Sequence, residues 1–316
     1  MNRDISRLEF RQYQIALSCR PVHGEHEQLN AVLTPRQSAW RKIAAYCLLV
    51  PILSLPGYYL GMHHHGLTGR QSAAVLMWGG PALSAIIVRL VTERSLAGIG
   101  FGLKDPKWLW IAAALPLAYG LPPYLIAWGA GLADFVPARW SEVLPYGLHV
   151  DGVLPALGAI LTVGLFDKIS RALGEEIGWR GLLVPELLKV TTFRNTALIS
   201  GVIWAAWHFP LIVLADYNAA GTPVAFQLAC FATMVVSSSF LYAWLRLRSA
   251  SVWPAAMLHA AHNLLVQSVF DQATVNRHGA FYLTTEFGAG LALFTILVAW
   301  LVLRRGEARS SSPTPP

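Results

Sequence analysis

The chain has 316 residues, of which 55% are hydrophobic and only 13% charged, and its mean hydropathy is +0.47. Roughly a quarter of the residues in a soluble domain are charged, so this composition excludes an ordinary soluble domain and predicts an integral membrane protein. The net charge of +7 does not indicate a nucleic-acid partner, because the basic residues are distributed between the hydrophobic runs. The three cysteines are far apart and lack CxxC spacing, which argues against a disulfide framework or a thiolate metal site.

Eight long apolar runs predict an all-α fold, a polytopic bundle of transmembrane helices. Each run is long enough to cross a hydrocarbon core of about 30 Å at about 1.5 Å per residue. A β-barrel would instead show short alternating segments. The predicted spans are 43–62, 72–92, 108–132, 150–168, 195–215, 224–245, 250–270 and 282–303.

Three further regions of the chain carry separate structural predictions. Residues 1–42 form a polar arm with scattered apolar positions, typical of either a short interfacial helix or a loosely ordered segment. Between 150 and 190 two paths stay open: the span ends near Phe166, or one broken helix continues through Glu175 and Glu176. The transmembrane region 43–303 is followed by residues 304–316, a tail rich in serine and proline that is predicted to be disordered.

The basic residues predict the orientation of the bundle. With a cytoplasmic N-terminus, the segments on the cytoplasmic side hold 21 of the 24 lysines and arginines. The segments on the other side hold Arg70, Arg139 and Arg277. This bias predicts that both termini are cytoplasmic, and it places Glu175 and Glu176 at the cytoplasmic side.

Polar residues at membrane depth are costly and usually functional, and the first such cluster is Glu175-Glu176…Arg180. On a helix Glu176 and Arg180 are four residues apart and can pair. Glu175 is rotated by about 100° and can point elsewhere. That division suits one structural glutamate and one general base. The alternative is an ordinary charged cluster in a solvated cytoplasmic loop.

Two more clusters lie inside apolar runs. His208 follows Trp204 by four residues and precedes Pro210, which frees backbone groups where a membrane helix lines a cavity. His259 and Asn263 are again four residues apart and could together stabilise an oxyanion. Each cluster alone is also compatible with an ordinary hydrogen bond between helices. Together the three clusters contain a base, a charge partner and polarising donors, and they favour attack of water on a carbonyl.

The three clusters, in this order, resemble the CPBP family of intramembrane proteases, which contains CAAX prenyl endopeptidases and bacteriocin-processing or immunity (Abi-like) proteins. The family pattern is EExxxR, FxxxH and HxxxN or HxxxD on successive helices of a mostly eight-span protein. The resemblance covers about ninety residues, and only Trp204 departs, where phenylalanine is usual. It implies that Glu175 and His208 activate water, that Glu176 and Arg180 support the site, and that His259 and Asn263 stabilise the oxyanion.

The use of a metal stays open. Glu175, His208 and His259 could hold a zinc ion and leave a position for water. A glutamate–histidine pair can also activate water without metal, and the absence of HExxH and thiolate sites favours that reading or a weakly bound metal. Family labels nevertheless describe a metalloprotease.

The leading hypothesis is an intramembrane endopeptidase that cuts a membrane-associated peptide or protein near the cytoplasmic face, with the lipid bilayer as its surroundings. The arginine-rich composition, with 19 arginines and 5 lysines, fits a GC-rich bacterial source, so the expected location is the bacterial cytoplasmic membrane. One alternative is a non-catalytic immunity protein or peptide-binding scaffold of the same family. A transporter that uses the polar cluster as an ion relay is a third. The sequence does not reveal the substrate.

Overall fold

The computed structural model describes residues 34–63, 70–142, 144–215, 217–219 and 221–310. Within them the chain forms eight long helices, which correspond one for one to the predicted spans. They are α1 (Pro35–His63), α2 (70–93), α3 (Lys107–Gly129), α4 (Val153–Leu188), α5 (Phe193–Leu214), α6 (Val224–Ser249), α7 (253–270) and α8 (Ala289–Ser310). The predicted all-α, polytopic fold is confirmed.

Six of these helices, α1 to α6, are long and apolar enough to cross a membrane, judged by length and composition. Residues Ala289–Arg304 of α8 form a shorter apolar helix. Helix α7 consists of an α-helical half and a π-helical half, Trp253–His262 and Asn263–Phe270. Further π segments occur inside α2 (Trp78–Ala82) and inside α4 (Ile160–Gly164 and Trp179–Leu183).

Helix α4 settles the path between 150 and 190. It runs on through two π segments to Leu188, so a span ending near Phe166 is wrong. The alternative, one helix that continues through Glu175 and Glu176, is right, and π segments interrupt its α-helical geometry without ending it. Glu175 and Glu176 are fully buried, which also excludes the solvated-loop interpretation of this cluster. The physical reason is that apolar residues resume at Trp179 and the charges pair within the protein, so the helix can stay in a low-dielectric environment.

The two ends of the chain differ from expectation. Helix α1 begins at Pro35 rather than at 43, and residues 1–33 of the predicted arm lie outside the described residues. Helix α8 begins at Ala289 rather than at 282, after a short 3-10 turn and a left-handed residue, Thr285. It continues to Ser310, into the predicted disordered tail, of which residues 311–316 lie outside the described part.

The helices alternate in direction, so the bundle has two distinct ends. We call the end with connections 94–106, 189–192 and 250–252 the basic end. We call the opposite end, with connections 130–152, 215–223 and 271–288, the strand end. A two-stranded antiparallel sheet of Ala133–Phe135 (β1) and Thr274–Asn276 (β2) lies there and ties two of its connections together.

At the basic end a buried ionic network joins α1, α2 and α4. The Glu186 carboxylate is fully buried and lies 2.7 Å from Lys189 Nζ and 3.7 Å from both Lys42 Nζ and Arg89 Nη2. Glu93 also pairs with Lys42 and Arg89. Since buried charges are stable only when they are paired, this network fixes the three helices against one another at this end.

Gly178 lets α4 approach its neighbours closely beside the glutamates. A Cβ built on Gly178 would lie 2.7 Å from both Cβ and the carbonyl oxygen of Pro81, and closer still to the Tyr46 hydroxyl. No larger residue fits without moving backbone, which is the usual reason for a small residue at a packed membrane helix crossing. The close contact fixes the height and rotation of α4, and with them the direction of the Glu175 and Glu176 side chains.

Candidate active site

A cavity of about 530 Å³ lies inside the bundle, beside the middle of α4, α5 and α7. Four of the six predicted site residues line it: Glu175, His208, His259 and Asn263. The other two, Glu176 and Arg180, are fully buried behind the cavity wall and contact the lining residues. The structure thus brings together residues that are nearly ninety positions apart in the chain.

The two oxygens of Glu175 have different surroundings. Oε2 accepts hydrogen bonds from the indole N–H groups of Trp204, at 2.6 Å, and Trp179, at 3.2 Å. Oε1 is buried and has no hydrogen-bond partner among the residues that the structure describes. An unpartnered buried carboxylate oxygen is costly, and Glu175 is one of the residues that line the cavity.

Glu176 is held in a charge network instead. Its Oε1 accepts from Arg180 Nη1 at 3.0 Å, one turn along α4, and from His259 Nδ1 at 3.0 Å. The arginine guanidinium lies between two aromatic rings, 4.3 Å from the centroid of Trp204 and 4.0 Å from that of Tyr242. The predicted division of the two glutamates, one paired with arginine and one turned elsewhere, is found in the structure.

Trp204 is the residue around which the site is organised. Besides its hydrogen bond to Glu175, its ring centroid lies 6.0 Å from that of His208 and 5.4 Å from that of His259. The expected packing role of this aromatic position is therefore present. The indole adds an N–H donor that phenylalanine lacks, and this donor holds one oxygen of Glu175.

The ring nitrogens of both histidines are distinguished by their partners. His208 Nδ1 lies 3.0 Å from the carbonyl oxygen of Trp204, which can only accept, so Nδ1 carries a proton. In the neutral ring Nε2 then has a lone pair. His259 likewise directs Nδ1 to Glu176. In both imidazoles Nδ1 is therefore engaged by the protein, and Nε2 is the ring nitrogen that can interact with a molecule in the cavity.

A second polar network on the cavity wall was missed by sequence reasoning. His262 Nε2 lies 2.8 Å from Glu286 Oε1, and its Nδ1 lies 3.1 Å from the Tyr119 hydroxyl. Tyr217 and Gln267 also donate to Glu286, at 2.5 and 3.1 Å. Two signals were available: Glu286 is an acid inside a predicted span, 282–303, and His262 lies three residues after His259, close to the same helix face.

The charge state of Glu286 follows from these contacts. Burial alone would raise its pKa, but the hydrogen bond and charge of His262, with two further donors, lower the pKa to about 2. Glu286 is therefore an anion in the folded protein at neutral pH. It orients His262 towards the same cavity as His208 and His259.

Zinc does not fit this arrangement directly. Glu175, His208 and His259 all line the cavity, yet no group of three or more histidine, cysteine, aspartate or glutamate residues in the described part of the chain is close enough to hold a metal ion. Each of the three side chains also has a fixed partner, at Trp204 or Glu176. Those partners orient the side chains without a metal.

Comparison with known proteins agrees with this site. Residues 156–265 match the family model described as Type II CAAX prenyl endopeptidase Rce1-like, and this segment contains all three motifs. Over this segment, about a third of the chain, the protein is similar to type II CAAX prenyl endopeptidases. Together with six helices that are long and apolar enough to cross a membrane, this similarity indicates an integral, multi-pass membrane protein.

A curated relative is CAAX prenyl protease 2 of Methanococcus maripaludis, which is 38% identical over 48 residues. That stretch covers 15% of this chain and 18% of the relative. The chain therefore spans less than a fifth of the length of the curated relative that it matches.

Proposed function

We propose that this protein is a CAAX-type intramembrane endopeptidase that hydrolyses a peptide bond in a membrane-associated substrate, with Glu175 as the general base. The observation that carries the proposal is the pair of unlike oxygens on Glu175. Oε2 is held by two indoles, whereas the buried Oε1 has no partner in the described part of the chain, and Glu175 lines the cavity. A fixed carboxylate with one oxygen available for water is what a general base requires.

His208 supports this role from the neighbouring helix. It lines the same cavity, and its protonated Nδ1 leaves Nε2 to accept a hydrogen bond from the same water. Glu175 Oε1 takes a proton from that water as the oxygen attacks the carbonyl carbon of the substrate. Two acceptors on one water fix its orientation, which lowers the entropic part of the barrier.

The tetrahedral intermediate carries a negative oxygen, and α7 supplies its donors. We assign this role to Nε2–H of protonated His259 and to the side-chain amide of Asn263, which lies one turn further along the helix and also lines the cavity. The Glu176 carboxylate behind His259 orients the ring and balances its positive charge. Removal of one such donor typically costs about 10²–10³ in rate.

Collapse of the intermediate completes the reaction. The C–N bond breaks, the proton on Glu175 passes to the leaving amine, and the new carboxylate and amine leave the cavity. Arg180 does not touch the substrate; it keeps Glu176 in place through its 3.0 Å ion pair. These steps use only side chains of this chain.

A cleavage assay tests the proposal. The purified protein in detergent is incubated with a library of membrane-anchored peptides, with and without a chelator, and products are identified by mass spectrometry. We expect cleavage of at least one peptide and the same rate with chelator. No cleavage by the folded protein would favour the peptide-binding or immunity role. Loss of cleavage with chelator would overturn the metal-free steps. A bacterial cytoplasmic membrane is the proposed location.

A further inference from the structure

The candidate site lies inside the bundle, nearer to the basic end than to the strand end. Glu175 lies 13 residues before the basic end of α4 and 22 residues after its strand end. His259 lies six residues from the basic end of α7 and 11 from its strand end, whereas Trp204 is close to the middle of α5.

From the candidate site the cavity extends towards the strand end. Its remaining lining residues include six from two strand-end connections: Tyr217, Asn218, Asp271, Gln272, Glu286 and Phe287. The basic-end connections 94–106, 189–192 and 250–252, all of them described, contribute none. The lining residues also become more exposed in this direction, from fully buried Glu175 to exposed Asn218.

The opposite direction is filled with side chains. Between Glu175 and the basic end, α4 places Trp179, Leu182 and Leu183, each with no exposed surface. Below them, Arg246 Nε donates to the Arg180 carbonyl oxygen at 2.8 Å, and Arg89 donates to that of Gly181 at 3.2 Å. This apolar layer and the ionic network close the basic end.

The distribution of charge indicates which end faces the cytoplasm. Three of the 21 basic residues assigned to the cytoplasmic side, namely Lys168, Arg171 and Arg180, lie within α4 and are discounted. Subtracting them leaves 18 on the side of the basic end against three on the side of the strand end. A bias of this size places the basic end in the cytoplasm.

We infer that the active-site cavity opens to the extracytoplasmic side of the membrane, and that the substrate is a membrane-anchored polypeptide whose cleaved segment lies on that side. That there is a substrate rests on the proposed function. The side of the membrane rests on the residues that line the cavity and on the distribution of charge. This inference differs from the expectation of cleavage near the cytoplasmic face. That expectation followed from the charge bias while the path of residues 150–190 was open, whereas α4 continues for 13 residues beyond Glu175.

The side of the membrane on which the cavity opens limits which polypeptides can enter it. A polypeptide segment that enters through the strand end reaches Glu175 from the extracytoplasmic side. A cytoplasmic protein with a lipid-modified C-terminus would meet the closed basic end instead. Peptide segments just outside a transmembrane anchor are therefore the expected substrates.

Thiol labelling tests the direction without any need for activity. Cys19, Cys47 and Cys230 are replaced by serine, and single cysteines are introduced one at a time in bacterial cells that express the protein. Labelling of Asn218→Cys measures how accessible the strand-end connection is, and labelling of Ser268→Cys measures how accessible the cavity wall is. Lys104→Cys, exposed at the basic end, is the matched control. Intact cells receive a membrane-impermeant maleimide, and a second sample is permeabilised first.

We expect Asn218→Cys and Ser268→Cys to react in intact cells and Lys104→Cys only after permeabilisation. Labelling of Lys104→Cys but not of the other two in intact cells would overturn the orientation. Labelling of Asn218→Cys in intact cells, with Ser268→Cys unreactive before and after permeabilisation, would overturn the open cavity. None of these readouts depends on cleavage, so a failure of the proposed function is recognised separately in the peptide assay.

Discussion

Replacing Glu175 with glutamine is expected to reduce peptide cleavage by roughly 10²–10⁴, the usual contribution of a general base. Glutamine has the same shape and keeps an oxygen that can accept from Trp204 and Trp179, so the local packing survives. What it loses is the ability to take a proton from water. The rate is measured with saturating peptide, so that the fall appears in kcat rather than in KM.

Glu142→Gln is the matched control, because Glu142 is an exposed glutamate at the strand end and outside the cavity. It should cleave at the wild-type rate. Thermal unfolding in detergent should give similar midpoints for both variants and the wild type. A Glu175→Gln variant that cleaves as fast as the control would show that another group activates the water.

Replacing Arg180 with methionine is expected to destabilise the folded protein by about 3–5 kcal/mol, the typical cost of removing one partner of a buried ion pair. Arg180 has no exposed surface, pairs with Glu176 and is packed between two aromatic rings. Its loss leaves the carboxylate buried with His259 as its remaining partner. The measurement is the free energy of unfolding in detergent or, failing reversibility, the midpoint of thermal unfolding.

Two further variants separate charge from packing in this experiment. The double variant Arg180→Met with Glu176→Gln should recover part of the lost stability, since no unpaired carboxylate remains. Arg277→Met removes an arginine from an exposed pair with Asp134 and should cost less than about 1 kcal/mol. Wild-type stability for Arg180→Met, or a double variant less stable than the single one, would contradict the assignment of Arg180 as the partner of a buried carboxylate.

Much of the fold could be predicted because its signals are local. Continuous apolar runs and the positions of basic residues are sufficient to find eight helices, and i, i+4 spacing is sufficient to pair Glu176 with Arg180. The continuation of α4 could not be decided in advance. Charged residues in the middle of a run look the same whether they end a span or pair inside it, and only tertiary contacts distinguish the two.

The finer parts of the site depend on contacts between distant residues. The donation from Trp204 to Glu175 crosses 29 positions, and the pair of His262 with Glu286 crosses 24. Neither has a spacing rule that a sequence reveals. The direction of the cavity was likewise hidden, because it is determined by which connections contribute lining residues. Sequence patterns therefore predicted the chemical groups, and the three-dimensional arrangement shows which residues they contact and which of them line the cavity.

The central claim, that Glu175 acts as a base on water rather than as a nucleophile, is tested most directly by one turnover in H₂¹⁸O with enzyme in excess of peptide. Attack by water on the peptide carbonyl places ¹⁸O in the new C-terminal carboxylate of the product and leaves Glu175 unlabelled. We predict this result by mass spectrometry of both the product and a digest of the enzyme. An unlabelled product together with ¹⁸O in the side chain of Glu175 would show a covalent anhydride and contradict the account.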